Sequence, residues 1–175
     1  MSQHIEFPLS IVPEDKIPTK EQIVDVPRDN LANLYNVCLN LTDLCQKENG
    51  LGISAVQTGI PWKLFVIRGD GTCPIIPKNE FGYFVDCNYE KDTGEEITSL
   101  EGCLSLRSNG RLRSFQLQRS KIINIVGYKF NLDDLVFLPI NITLTYQQQC
   151  VVFQHEIDHH NGILISDIGR ELYVW

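Results

Sequence analysis

No apolar run in this chain approaches the ~20 residues that a helix needs to cross a bilayer, so no membrane span is expected. Its opening residues, MSQHIEFPLSIVPEDK, hold no basic segment followed by an apolar one. That leaves no evident secretory signal and points to the cytoplasm. A surplus of positive charge is missing too. The formal net charge of −7 argues against a general nucleic-acid-binding surface. Histidine is scarce: the chain has four, and His155, His159 and His160 fall close together near its end. Cysteine is not scarce, but the six cysteines among 175 residues lack the spacing of a small stapled scaffold and read as reduced thiols.

A chain of 175 residues can bury one good core and is short for two. No repeat, low-complexity tract or linker divides it, so residues 1–175 are expected to form a single domain. Pro8, Pro13, Pro18 and Pro27 break the first stretch into short extended pieces. Leu31, Leu34, Cys38, Leu41 and Cys45, spaced by three and four, make the apolar stripe of a helix. Asp29 or Asn30 can cap its start and Gly50 can close its end. Leu64–Ile67 and Tyr83–Cys87 read as buried strands, with Gly69–Lys78 as loop between them. Ser108-Asn109-Gly110 marks a turn. The β-prone stretches Phe115–Phe130 and Leu135–Tyr146 are joined across Asn131–Asp134 as an antiparallel hairpin. The order of elements predicts an α+β fold, mostly antiparallel strands around a late central helix. Arg107, Arg111, Arg113, Arg119 and Lys121 read as a solvated hairpin face.

The scarce histidines carry the chemistry. Gln154 to Gly162 reads QHEIDHHNG, in which His155, Glu156 and His159 form H-E-x-x-H after an apolar approach of Val151, Val152 and Phe153. On a helix of ~3.6 residues per turn, positions i and i+4 share a face and can share a metal. Glu156 then sits one residue round, able to reach a water on that metal without being a ligand. Asn161-Gly162 supplies a left-handed helix end. Two imidazoles leave a metal short of ligands. Downstream, His160 points about 100° away from His159, and Asp167 or Glu171 could serve only if the tail folds back. Upstream, Cys103 in EGCLS (Glu101 to Ser105) is the better candidate. Gly102 beside it removes bulk and permits close approach. A thiolate and two imidazoles leave an open coordination position for water. GLGISAVQ, Gly50 to Gln57, would by itself be a helix-to-strand connection bearing a surface amide.

Together, GLGISAVQ, EGCLS and QHEIDHH, in this order, resemble the three signature motifs of the peptide deformylase family: G-Φ-G-Φ-A-A-x-Q, E-G-C-Φ-S and Q-H-E-Φ-D-H, with Φ apolar. The resemblance implies a metal-dependent hydrolase that removes the formyl group from the N-terminal formylmethionine of new polypeptides, releasing formate. It implies one divalent metal, Fe²⁺ with Zn²⁺ or another ion as alternatives, held by Cys103, His155 and His159. Glu156 matches the catalytic acid/base, and Gln57 and the backbone N–H of Leu104 match the groups that meet the developing oxyanion. Leu51, Gly52, Leu104, Val151 and Val152 match the apolar pocket for the methionine side chain. Glu101 and Asp158 are candidates to orient the histidines, against an ordinary structural role. Formylmethionyl nascent peptides are the implied partners, and a monomer is expected.

Four departures from the family pattern stand out. Ser54 replaces an alanine, His160 an apolar residue, and Leu106-Arg107 an apolar residue followed by proline. His160 is expected either exposed or bonded to a neighbouring carbonyl. The sixteen residues after His159 are too few for the long C-terminal helix with which common bacterial members meet the ribosome. The chain thus resembles short, bacteriophage-encoded forms, which act in a bacterial host's cytoplasm, and ribosome contact by that route is not expected. Two other readings use the same site: a peptidase or amidase that cuts internal amides, and a non-catalytic metal-binding domain. A closed structural site has no use for a free Glu156 beside an open coordination position.

Overall fold

Strand β2 shows how the apolar sequence is spent. The computed structural model describes residues 5–92, 94–147 and 149–172 of the chain. It places the first helix, α1 (Leu31–Lys47), ahead of β1 (Gly52–Ser54), a 3-10 turn (Ala55–Thr58) and β2 (Leu64–Arg68). Successive strand side chains point to opposite faces. On β2, Leu64 and Val66 join the buried stripe of α1, while Phe65 and Ile67 join a second core on the other face. All four are fully buried. The α1 stripe is buried from Leu34 through Cys38 and Leu41 to Cys45, and Asn30 caps the helix by accepting from Asn33 N at 3.0 Å. At the other end the left-handed residue is Asn49 (φ 52°) and not Gly50. An Asn tolerates that conformation because its short polar side chain bonds locally.

β3 (Phe81–Lys91), β4 (Glu96–Ser108), β5 (Arg111–Ser120), β6 (Ile122–Asn131) and β7 (Val136–Thr145) follow, then α2 (Cys150–His160), α3 (Ile165–Ile168) and β8 (Arg170–Leu172). Five strands form one sheet in the order β1-β2-β3-β6-β7, and three form another in the order β4-β5-β8; every pairing is antiparallel. The β6–β7 hairpin runs in unbroken register from Ile122↔Thr145 to Asn131↔Val136. The β4–β5 hairpin turns at Asn109 (φ 50°) and Gly110 (φ 77°), the Asn-Gly pair favoured where both central residues need positive φ.

The late helix α2 crosses the large sheet opposite α1. Phe153 packs edge-on against Phe84 (4.8 Å between centroids) and Phe65 (5.7 Å). Burying an aromatic side chain of this size contributes about 1.5–3 kcal/mol. The α+β class and the antiparallel strands agree with the sequence reading, but two parts of that reading need correction. EGCLS lies inside a thirteen-residue strand, β4, that was not foreseen. The basic residues do not form one solvated face: Arg107, Arg113 and Lys121 pair with Glu48, Glu171 and Glu95, and Arg119 is buried at 3% exposure. A guanidinium is retained inside where carboxylates meet its fork.

Candidate active site

Helix α2 is fixed at its start by two glutamine amides. Gln149 Nε2 donates to the Arg68 carbonyl at 2.7 Å. Gln154 accepts from Ser120 N at 3.0 Å and returns a bond to Ser120 O at 2.9 Å, which ties the helix to the end of β5. His155 and His159 then meet edge-on one turn apart, ring centroids 5.0 Å from each other. Gly162 ends the helix with φ 69°, its N–H donating to His159 O. β4 leaves the β5 ladder after Gly102 and rejoins it at Arg107↔Leu112, so Cys103–Leu106 lie outside the paired register. This bulge turns the Cys103 thiol inward, to 1% exposure, and brings Sγ within 3.5 Å of His159 Nε2.

The ligating atoms of Cys103, His155 and His159 all lie within 4.8 Å of one another. Zinc–sulfur bonds of about 2.3 Å and zinc–nitrogen bonds of about 2.0–2.1 Å at tetrahedral angles separate ligand atoms by roughly 3.3–3.6 Å. The sulfur–nitrogen separation matches that span. A thiolate with two imidazoles suits a first-row divalent metal, and a buried Glu156 Oε2 without a hydrogen-bond partner lies beside the set. The residues present fit a metal.

Behind the histidines is a buried charge network. Glu101 Oε2 meets His155 Nδ1 at 2.8 Å, and Arg119 holds Glu101 with both fork nitrogens, at 2.8 and 2.9 Å. The remaining Arg119 nitrogen donates to Asp158 at 2.5 Å, and Tyr89 OH donates to the other Asp158 oxygen at 3.2 Å. Burial would raise the Glu101 pKa, but the bonds from Arg119 and His155 outweigh it and lower it to about 2. Burial also opposes charge on His155; its bonds to Cys103 and Glu101 prevail and raise it to about 10. A cation binding at the same place would compete with that proton. His159 is pushed the other way, well below its ordinary value, by burial and by His155.

Glu156 is buried and its pKa rises to about 7, chiefly through desolvation, with His155 opposing and Glu101 adding. Its Oε1 lies only 2.6 Å from where a Cβ on Gly52 would sit, so any side chain at 52 would collide with the carboxylate. Gln57, at 1% exposure, accepts from Ser54 N at 2.8 Å and points Nε2 at Cys103 Sγ and Ser105 Oγ, both at 3.3 Å. Outside these groups opens a cavity of about 290 Å³. Leu51, Gly52, Leu104, Val151 and Val152 all line it, together with Gln57, His155 and Glu156.

The structure therefore brings together every site residue named from the sequence, and it revises several readings around them. Gln57 is no surface amide; its burial follows from the 3-10 turn that tucks it under the bulge. Gly102 is not crowded, since a Cβ there would make only ordinary contacts at 3.7 Å or more. The tail does fold back as β8, but Glu171 binds Arg113 through both oxygens and Asp167 caps Leu164 N, so neither faces the histidines as a ligand. His160 is buried against Phe65, with ring centroids 5.3 Å apart. Desolvation lowers its pKa to about 3, and the nearby Leu64 backbone offsets this only in part; among the described residues neither ring nitrogen has a partner of hydrogen-bonding geometry. Arg119, Tyr89 and Ser105 were not foreseen. A lone charge on a β-run carries no sequence signal of burial, because its partners are brought in from distant segments.

Comparison with known proteins agrees with this geometry. A family model described as polypeptide deformylase matches residues 8–172. A peptide deformylase of Desulforudis audaxviator is 26% identical over 140 residues, 80% of each chain. A class I type b peptide deformylase from Acinetobacter baumannii superposes with a TM-score of 0.70 at 21% identity, covering 94% of this chain and 99% of that one. A probable peptide deformylase from Synechococcus phage S-SSM7 superposes with a TM-score of 0.68 at 21% identity, covering 91% and 99%. At these identities the two structures speak for the fold.

Proposed function

Because this chain belongs to the polypeptide deformylase family, we propose that it removes the N-terminal formyl group from formylmethionyl peptides and releases formate. The observation that carries the reading is the grouping of Cys103, His155 and His159 within 4.8 Å, at the wall of a cavity that Glu156 and Gln57 also line. Cys103, His155 and His159 would hold one divalent ion. When bound, such an ion supplies a Lewis acid and a nucleophilic water at neutral pH.

The other residues do the remaining work. Glu156, with a pKa near 7, takes a proton from the attacking water and passes it to the amine nitrogen as the formyl C–N bond breaks. Negative charge grows on the formyl oxygen, where Gln57 Nε2 and the Leu104 N–H can meet it. Losing one such donor typically costs about 10²–10³ in rate. Glu101 fixes His155 by accepting from Nδ1, which leaves Nε2 for the metal. Leu51, Gly52, Leu104, Val151 and Val152 enclose the methionine side chain.

Fe²⁺ is the proposed native metal, Zn²⁺ or another divalent ion being the alternative. Formylmethionyl nascent peptides are the proposed partners. The Acinetobacter baumannii enzyme has been solved with Met-Ala-Ser bound. Among the described residues no helix is long and apolar enough to cross a membrane, and we place the monomeric enzyme in the cytoplasm. The test is to offer formyl-Met-Ala-Ser and acetyl-Met-Ala-Ser to the anaerobically loaded protein. Formate from the first and no product from the second is expected; cleavage of an internal amide in either would support a peptidase instead.

A further inference from the structure

Segment Cys103–Leu106 lies outside the β-ladder, so its orientation must come from elsewhere. On one side Gln57 ties it through Cys103 and Ser105. On the other side stands Arg107, at the position where the family pattern has proline. Its three guanidinium nitrogens go to three places: Nε donates to the Leu104 carbonyl at 3.2 Å, one terminal nitrogen to Gly110 O in the β4–β5 turn at 3.3 Å, and the other to Glu48 at 2.5 Å. Glu48 follows α1 and, like Leu104, lines the substrate cavity.

We propose that Arg107 is a positioning residue that holds the Leu104–Ser105 peptide at the edge of the substrate cavity. A proline would restrict the chain by locking its own φ. Arg107 restricts it by holding the carbonyl of Leu104, which fixes the Leu104–Ser105 peptide and limits that residue's ψ. The Leu104 N–H belongs to the preceding peptide, whose Cys103 side Gln57 holds, so the segment is pinned on both sides of the N–H that would meet the formyl oxygen. The Glu48 pair is partly exposed, with side chains 36% and 26% accessible, and contributes little by itself. The bonds to backbone carbonyls are the working part, because a planar fork spreads its donors rigidly toward acceptors set apart, whereas the three donors of an ammonium sit on a single nitrogen.

This inference rests on the deformylase reading, so the experiment pairs turnover with a readout that needs none. In ¹⁵N-labelled, Zn²⁺-loaded protein, Arg107→Ala should shift the Leu104 amide resonance and speed its exchange with solvent, while Glu48→Gln leaves it near wild type. With formyl-Met-Ala-Ser, Arg107→Ala should lower kcat by about 10–10²-fold at unchanged metal content, the scale of loss expected from a misplaced catalytic group. Arg107→Lys should lie closer to Ala than to wild type, and it carries the comparison if the alanine variant does not fold. An unshifted Leu104 amide, a kcat of Arg107→Ala within about twofold of wild type, or a Leu104 amide that moves as far in Glu48→Gln as in Arg107→Ala would overturn the proposal. Absence of formate release by the wild type would sink the deformylase reading alone, since the Leu104 resonance still reports Arg107's hold.

Discussion

In the five-stranded sheet, charge stays outside. β2 sends Leu64 and Val66 into one core and Phe65 and Ile67 into the other, and Phe84 and Phe153 close the second. Among the described residues, the buried apolar cluster of the three-stranded sheet is Cys103, Leu106, Phe115, Leu117 and Ile165, and one of those is a proposed ligand. What joins that small sheet to α2 is polar: Arg119 between Glu101 and Asp158, and Gln154 on the Ser120 backbone. The contrast has a physical reason. Apolar packing holds a shape but cannot orient an imidazole or keep a carboxylate charged in the interior. The sheet that faces the chemistry gives up apolar burial for bonded charge, and its neighbour provides the stability.

The largest expected effect separates chemistry from scaffold. Glu156→Gln should lower formate release by about 10²–10⁴-fold while metal content stays at the wild-type level. Turnover at the wild-type rate in that variant would remove the proposed proton shuttle. Next, Arg119→Met and Phe84→Ala should each cost about 3–5 kcal/mol in denaturant unfolding, the first by stranding two buried carboxylates and the second by opening a cavity. Only the Arg119 variant should also lose metal. Equal metal loss in both would erase the division between the sheets.

A smaller step is Glu101→Gln, which should weaken metal binding by about 10–100-fold, read by competition with a chelator, because His155 loses its charged partner. The smallest effect belongs to the large sheet and its helices. Burial raises the Cys45 and Cys87 thiols to about 12 and Cys150 to about 11, with Glu156 adding at Cys45. Thiols of the unfolded chain ionise near about 8.5. Above that pH the unfolded state holds fewer protons on these thiols, so their contribution to stability is complete below about pH 8.5 and declines as pH rises toward the folded values. Urea midpoints at pH 8 and 10 should show the fall, and Cys87→Ala should make it shallower.

The legibility of the sequence follows the same division. The α1 stripe and the β6–β7 hairpin were readable because local periodicity and turn residues specify them. The H-E-x-x-H face was readable for the same reason, being set by helix spacing alone. Cys103 could be proposed from its glycine-flanked context and the want of a good downstream ligand, while the resemblance to family motifs supplied the roles of Gln57 and Leu104, which no local pattern joins. Strand β4 was missed because polar residues fall on both its faces and its Leu100 points outward at 70% exposure, so residue type does not follow the alternation of exposure along it. Arg119 was misplaced because its partners, Glu101 and Asp158, are 18 and 39 residues away. Arg107 looked like surface charge for a like reason: the carbonyl it holds belongs to a bulge that only the folded sheet creates.

The most direct test is to measure metal content and formate release on one anaerobic sample during stepwise chelation, beside Cys103→Ala treated alike. A wild-type protein that starts near one divalent ion per chain and loses turnover in proportion to metal, with neither present in the variant, is the predicted result. Formate release that persists at negligible metal, or a Cys103→Ala protein that binds its ion as tightly as wild type, would contradict the three-ligand centre.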